Sequence, residues 1–195
     1  MAIPTNSLAV VNQIMNELGR PGVSADTNDP WAFVISQRLP TDLVYLLQQT
    51  QWNFANKFYY SNSPNAGPSP SPQWLYSFSL PPDFLNFQTQ YINLMYQVIG
   101  NVICANQNFI EFYYIRNISD FTQLPQWFIQ LLVYYTASMV ALQLTLNTAV
   151  EAKEWNKFRN EMSSAKWQNI SLNPICEAPY NKYDRGGAGV GNILL

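Results

Sequence analysis

Three features of the 195-residue sequence predict an α+β fold, mainly α. Apolar residues recur at helical spacing towards both ends of the chain, whereas the middle section loses that period and becomes aromatic and strand-like. Breaking residues sit where the pattern changes, at Gly19, Pro21-Gly22, Gly100-Asn101 and Pro125. The expected architecture is an antiparallel helical bundle with an inserted small antiparallel β region and an extended C-terminal tail. Its helices fall at about 7–18, 30–51, 126–146 and 148–167, and its β insertion at about 52–118. Residues 1–173 form a single domain and residues 174–195 the tail.

The elements follow in order. Thr5-Asn6-Ser7 is a capping signal for a first helix, with Leu8, Val11, Ile14, Met15 and Leu18 on one face and Gly19 as its stop. Asp29-Pro30 opens the second, with a cap followed by proline at the first helical position. Its apolar stripe is Phe33, Val34, Leu39, Leu43, Leu46 and Leu47, and Pro40 predicts a kink. Beyond Trp52, strands are expected at 56–61, 74–80, 96–99, 102–104 and 109–115. Gly100-Asn101 reads as a two-residue hairpin turn, and the stretch 61–72, rich in Ser, Pro and Asn, as an exposed loop.

Pro125 opens the third helix, and Asn147 or Thr148 marks its join to the fourth. Residues 127–146 carry no charge, near the length that spans a bilayer. Five polar side chains interrupt the run, no Lys or Arg flanks it closely, and a buried core helix is the expected reading. In the fourth helix Trp155, Phe158, Met162 and Ala165 share an apolar face, while Glu151, Glu154, Lys157 and Glu161 share the other, where Lys157 and Glu161 are spaced to pair.

Charged residues make up 11 % of the chain, against roughly 25 % in ordinary soluble domains. Asn and Gln fill much of the polar surface instead. So little charge does little to keep copies apart, which points to surface covered in an oligomer; a codon bias towards Asn produces the same composition. The net charge of −2 comes without a basic run, so no strong grip on nucleic acid is expected. The basic excess that exists lies in residues 151–195. The start of the chain lacks the basic and apolar pattern of a signal peptide.

Enzymatic chemistry has few candidates. The chain has no histidine, which removes the commonest general base and every Ser-His-Asp or Cys-His arrangement. Cys104 and Cys176 stand far apart and suit free buried thiols, not a metal site. The carboxylates Asp26, Asp29, Asp42, Asp83, Glu111 and Asp120 fall in no catalytic spacing, and each has a plain structural reading as cap, loop or helix-flanking residue. Gly186–Gly191 joins no strand to a helix and lacks a Gly-Lys-Ser/Thr ending, so it reads as a flexible tail.

Several segments carry a family resemblance through their order. They are Asn12-Gln13-Ile14-Met15-Asn16-Glu17-Leu18-Gly19, Leu39-Pro40-Thr41-Asp42-Leu43-Val44-Tyr45-Leu46-Leu47 and the aromatic exit Gln51-Trp52-Asn53-Phe54-Ala55. They continue with Trp74-Leu75-Tyr76-Ser77-Phe78-Ser79-Leu80-Pro81-Pro82-Asp83-Phe84-Leu85, and with Tyr96-Gln97-Val98 through Phe112-Tyr113-Tyr114-Ile115. From Leu8 to Asn173 this succession resembles the tail tubular protein A family, the head-to-tail adaptors of short-tailed bacteriophages, and related connector proteins. The chain departs from that family in its low charge and its Pro/Ser-rich loop.

The resemblance implies a virion structural protein and not an enzyme. Its copies would form a ring of about twelve below the portal, extend the channel for passing double-stranded DNA without reading its sequence, and dock the tail nozzle. It implies assembly in the host bacterial cytoplasm, a final place in the virion neck or tail, no cofactor and no membrane. The expected portal contacts are Tyr180, Tyr183, Arg185, Ile193, Leu194 and Leu195 in the tail. The expected subunit interface is Trp127, Leu131, Tyr134 and Tyr135, and the nozzle-facing loop carries Pro64, Pro68, Pro70 and Pro72. The competing readings are another tail or baseplate subunit, a small aromatic-rich binding domain, and a membrane-associated helical protein.

Overall fold

Helix α1 spans Thr5–Glu17 and turns Val10, Val11, Ile14 and Met15 into the interior. In the computed structural model, which describes residues 3–88 and 95–172, about 51 % is helix and 18 % strand, an α+β fold. The expected Thr5-Asn6-Ser7 cap does not form. The helix starts at Thr5 behind Pro4, and the Ser7 hydroxyl donates to the Pro4 carbonyl at 2.9 Å. Its end does follow the glycine. Gly19 has φ +78°, its N–H reaches the Asn16 carbonyl, and the Arg20 N–H reaches Met15, which satisfies the last carbonyls of the helix.

Helix α2 spans Pro30–Gln49, capped by Asp29, whose carboxylate accepts from the N–H groups of Trp31 and Ala32. It is one helix through Pro40. Its inward stripe is Ala32, Ile35, Leu39, Asp42, Leu43, Leu46 and Leu47. Phe33, expected inside, is exposed, because Ile35 holds the core-facing turn. Trp52 follows in a buried position with its Nε1–H donated to the Leu46 carbonyl at 2.7 Å, which closes the C-terminal end of α2.

Among the described residues the β insertion forms two small three-stranded sheets. Its strands are β1 (Asn56–Ser61), β2 (Tyr76–Ser79), β3 (Phe84–Phe87), β4 (Tyr96–Ile99), β5 (Val102–Ala105) and β6 (Ile110–Arg116). Their orders are β1-β6-β3 and β2-β5-β4, antiparallel throughout. β3 has no sequence-based counterpart: the Pro81-Pro82 signal reads as a stop, yet the chain resumes as a strand at Phe84 and joins the edge of the other sheet, with a register shift between Phe84 and Asn86. Phe78 and Ile103 of one sheet meet Ile110, Phe112 and Tyr114 of the other in a small separate core. The β4–β5 turn explains its residue order: Gly100 has φ +60° and Asn101 does not have positive φ, the II′ pattern that wants glycine first.

Helices α3 (Gln126–Thr145) and α4 (Thr148–Leu172) form a hairpin joined by Leu146 and Asn147. The Asn147 side chain caps α4 by accepting from the Ala149 N–H at 2.9 Å. α3 is the central helix, packed by α1, α2 and α4, and ten of its residues are buried. It is long and apolar enough to cross a membrane by composition, and 56 % of its most apolar window is buried within the chain. α4 runs five residues beyond its expected end. Asn169 holds that end against the exit of α2: its Oδ1 accepts from the Asn53 N–H at 2.7 Å, and its Nδ2 donates to the Gln51 carbonyl at 2.8 Å.

Candidate functional site

The uncharged stretch from Phe121 to Val150 builds α3 and its turn, so the surface α3 leaves uncovered is apolar or neutral. α4 covers only part of it, with Glu154, Phe158, Ala165 and Asn169 as its buried positions. Met139, Leu142 and Leu146 stay exposed on α3 and its turn, and Trp155 of α4 is 37 % exposed. Between the two helices lies a groove of about 420 Å³, lined by Ser138, Met139, Thr148, Glu151, Ala152 and Trp155.

A row of rings runs under this face. Tyr45 of α2 stacks on Tyr135 of α3 at 5.1 Å, Tyr135 meets Phe158 of α4 at 5.0 Å, and Phe158 meets Trp155 at 5.2 Å. Both ends of the row, Tyr45 and Trp155, reach solvent. Aromatic pairs at these separations contribute beyond their buried area, so the row fixes the relative placement of three helices.

Two buried carboxylates underpin the face, and both correct an expectation. Asp42, read as a residue just past a kink, is 2 % exposed. Burial raises its pKa, against the opposing pull of the Arg38 guanidinium, whose Nε donates to it at 3.1 Å, and of the Thr136 hydroxyl. Burial and the Asp42 charge together raise the Tyr135 hydroxyl. Glu154, expected on the solvated face of α4, has no exposed side-chain surface, while Trp155, expected inside, is exposed. Lys157 pairs not with Glu161 but with Glu154, at 3.0 Å, and with Glu17 of α1. Burial alone would lower the Lys157 pKa; the two carboxylates outweigh it and raise it.

Of the four expected interface residues, Leu131 and Tyr135 are buried against the chain's own helices and Trp127 and Tyr134 are half-buried. Trp127 belongs to a ring cluster with Trp52, Phe54 and Phe128 inside the helical core. The exposed apolar residues of α3 are Met139 and Leu142, one turn or more further along. Pro64, Pro68, Pro70 and Pro72 are all exposed, as expected of a loop. The loop is tied down at Asn65, whose N–H donates to the Ser77 carbonyl at 2.7 Å and whose Oδ1 accepts from the Ser79 hydroxyl at 3.0 Å. Tyr180, Tyr183, Arg185, Ile193, Leu194, Leu195 and Cys176 lie outside the described residues.

Sequence reasoning missed Tyr45, Met139, Leu142 and Leu146. The signal for the last three was present: an apolar i, i+3, i+7 series continuing past the point where α2 can cover α3. Among the described residues no group of three or more Cys, Asp or Glu is placed to hold a metal ion. Compared with protein-family models and with curated proteins, the chain shows no match.

Proposed function

We propose that this protein is a virion structural subunit, a head-to-tail adaptor whose copies form a ring of about twelve below a phage portal. In this reading the helices make an antiparallel bundle, the tail at 174–195 binds the portal through Tyr180, Tyr183, Arg185 and Ile193–Leu195, and the loop bearing Pro64, Pro68, Pro70 and Pro72 faces the nozzle. The ring extends the DNA channel, performs no chemistry and contacts the duplex without sequence specificity. The observation that carries the reading is the exposed apolar series Met139, Leu142 and Leu146 on α3 and its turn, with Trp155 of α4 exposed at the groove it shares with Met139. A face of that kind is costly to leave in water and is the compositional mark of an assembly contact.

The test is reconstitution on purified portal rings, read by electron microscopy and native mass. The full chain adds a second ring to the portal, and deleting residues 180–195 abolishes that addition while the helical circular-dichroism signal stays unchanged. Full-strength binding by the truncated chain sinks the tail-anchor assignment. Absence of any added ring with the full chain sinks the adaptor reading.

A further inference from the structure

We propose that the outward side of α4 binds the phosphate backbone of nucleic acid through Lys153, Arg159 and Lys166. α4 buries Glu154, Phe158, Ala165 and Asn169. At about 100° per residue these mark the side turned to the bundle. Away from it lie Lys153, Asn156, Arg159, Asn160, Ser163 and Lys166, all exposed. Every charge among them is positive, on a chain whose net charge is −2. The carboxylates of the helix, Glu151, Glu154 and Glu161, are buried or half-buried.

Elsewhere the chain neutralises or covers its cations. Arg38 pairs with Asp42, Lys57 with Asp83, and Lys157 with Glu154 and Glu17, while Arg20 lies over the Trp31 ring. Among the described residues Arg159 and Lys166 have no such partner. Lys153 stands 3.6 Å from Glu154, which Lys157 already holds at 3.0 Å. The cations left over for an outside anion are thus gathered on one side of one helix.

Charge complementarity selects a polyanion, and spacing suits phosphate. From Lys153 to Lys166 the helix rises about 20 Å, a length along which one strand of a duplex presents about six phosphates. Between the cations stand Asn156, Asn160 and Ser163, whose amides and hydroxyl donate to phosphate and sugar oxygens in such interfaces. An anionic bilayer fits less well. A helix lying in a membrane surface buries a broad apolar face, and on this side of α4 only Trp167 and Ile170 are large and apolar. Backbone contacts of this kind read no sequence, and three of them bind weakly with a steep dependence on salt. The inference deepens the adaptor reading and rests on it only for which nucleic acid meets the face.

The test is fluorescence anisotropy of a labelled duplex of mixed sequence, titrated with the full chain across a salt series. For wild type, log K falls against log salt with a slope of about −2.7, a loss of about 500-fold between about 20 and 200 mM. Arg159→Gln or Lys166→Gln alone makes the slope shallower by about 0.9. The triple variant Lys153→Gln, Arg159→Gln, Lys166→Gln abolishes binding and keeps the helical circular-dichroism signal. Arg20→Gln and Lys182→Gln, which remove cations elsewhere, leave the slope unchanged. A triple variant that binds as wild type does, a wild type that fails to bind at about 20 mM salt, or a slope lost with Lys182→Gln instead overturns the proposal. Vesicles of anionic phospholipid, or polyglutamate, that displace the duplex at equal charge concentration overturn the choice of ligand. Addition of the triple variant to portal rings is read separately, so the adaptor reading stands or falls on its own result.

Discussion

Lys157→Met separates a stabilising ion pair from an ornamental one. Lys157 Nζ lies 3.0 Å from the Glu154 carboxylate, which has no exposed side-chain surface, and also pairs with Glu17 across the α1–α4 contact. At that distance the attraction is about 5 kcal/mol for an effective dielectric of about 20. Much of it offsets the desolvation of Glu154. Removing one partner of a buried pair costs about 3–5 kcal/mol because the other charge is stranded. Lys157 keeps 30 % of its side-chain surface in water and Lys153 stands 3.6 Å from Glu154, so the cost falls below that range: about 2–3 kcal/mol, or a melting shift of about 5–10 °C for a chain of this size. Urea unfolding followed by tryptophan fluorescence measures it, with an unchanged slope confirming the same transition. Glu154→Gln in the Lys157→Met background recovers part of the loss, since no buried charge is left behind. The raised Lys157 pKa sets the pH sign: its contribution is complete below 10.5 and is lost as pH rises through the higher folded value, so wild type and variant converge in alkali. A variant within about 0.5 kcal/mol of wild type at neutral pH, or a double variant no more stable than the single, refutes this account of the pair.

Trp52→Ala leaves a cavity where Trp52, Phe54, Trp127 and Phe128 meet and frees the Leu46 carbonyl, a loss of about 3–5 kcal/mol by chemical denaturation. Asn169→Ala removes two side-chain hydrogen bonds that hold the end of α4, costing about 2 kcal/mol; hydrogen exchange shows it as faster exchange of the Asn53 amide. For Asp42→Asn the sign is opposite to that of an ordinary ion pair. Because burial raises the Asp42 pKa in the folded chain, folding favours its protonated form, and wild type loses stability as pH rises from 3.8 through the folded value. The Asn variant escapes that loss, and Arg38, with 38 % of its side chain exposed, is left partly hydrated. Melting curves from pH 3 to 7 are expected to converge at the acid end and favour the variant at the neutral end, whereas a variant less stable than wild type across the whole range contradicts the assignment.

Local chemistry carried far in this chain. Asp29-Pro30 marked the start of α2 because the cap and the proline each act within one turn, and Gly19 marked the end of α1 through its own left-handed backbone. Gly100-Asn101 marked a hairpin for the same reason. Thr5-Asn6-Ser7 misled because Pro4 takes the cap position first. The pairing of β6 with both β1 and β3 was not legible: β3 follows directly on two prolines, and its partner lies about thirty residues further along the chain. The exposed apolar positions were not legible. The uncharged third helix was read as a core helix, which its burial bears out, while of the interface residues that the resemblance implied, Leu131 and Tyr135 went into the core.

What the sequence by itself determined was the class of fold, the order of helix, β insertion and helical hairpin, and the absence of charge from α3. These depend on groups a few positions apart, which act on each other in any context. Tertiary structure alone decided that Asp42 and Glu154 are buried, that Trp155 and Phe33 are not, and that Leu146 stands outside in a left-handed turn. Each outcome depends on distant partners, as in the bonds from Lys157 to Glu17 and from Asn169 to Asn53. A helical period reports which residues share a face; only the packing of helices against each other decides which face meets water.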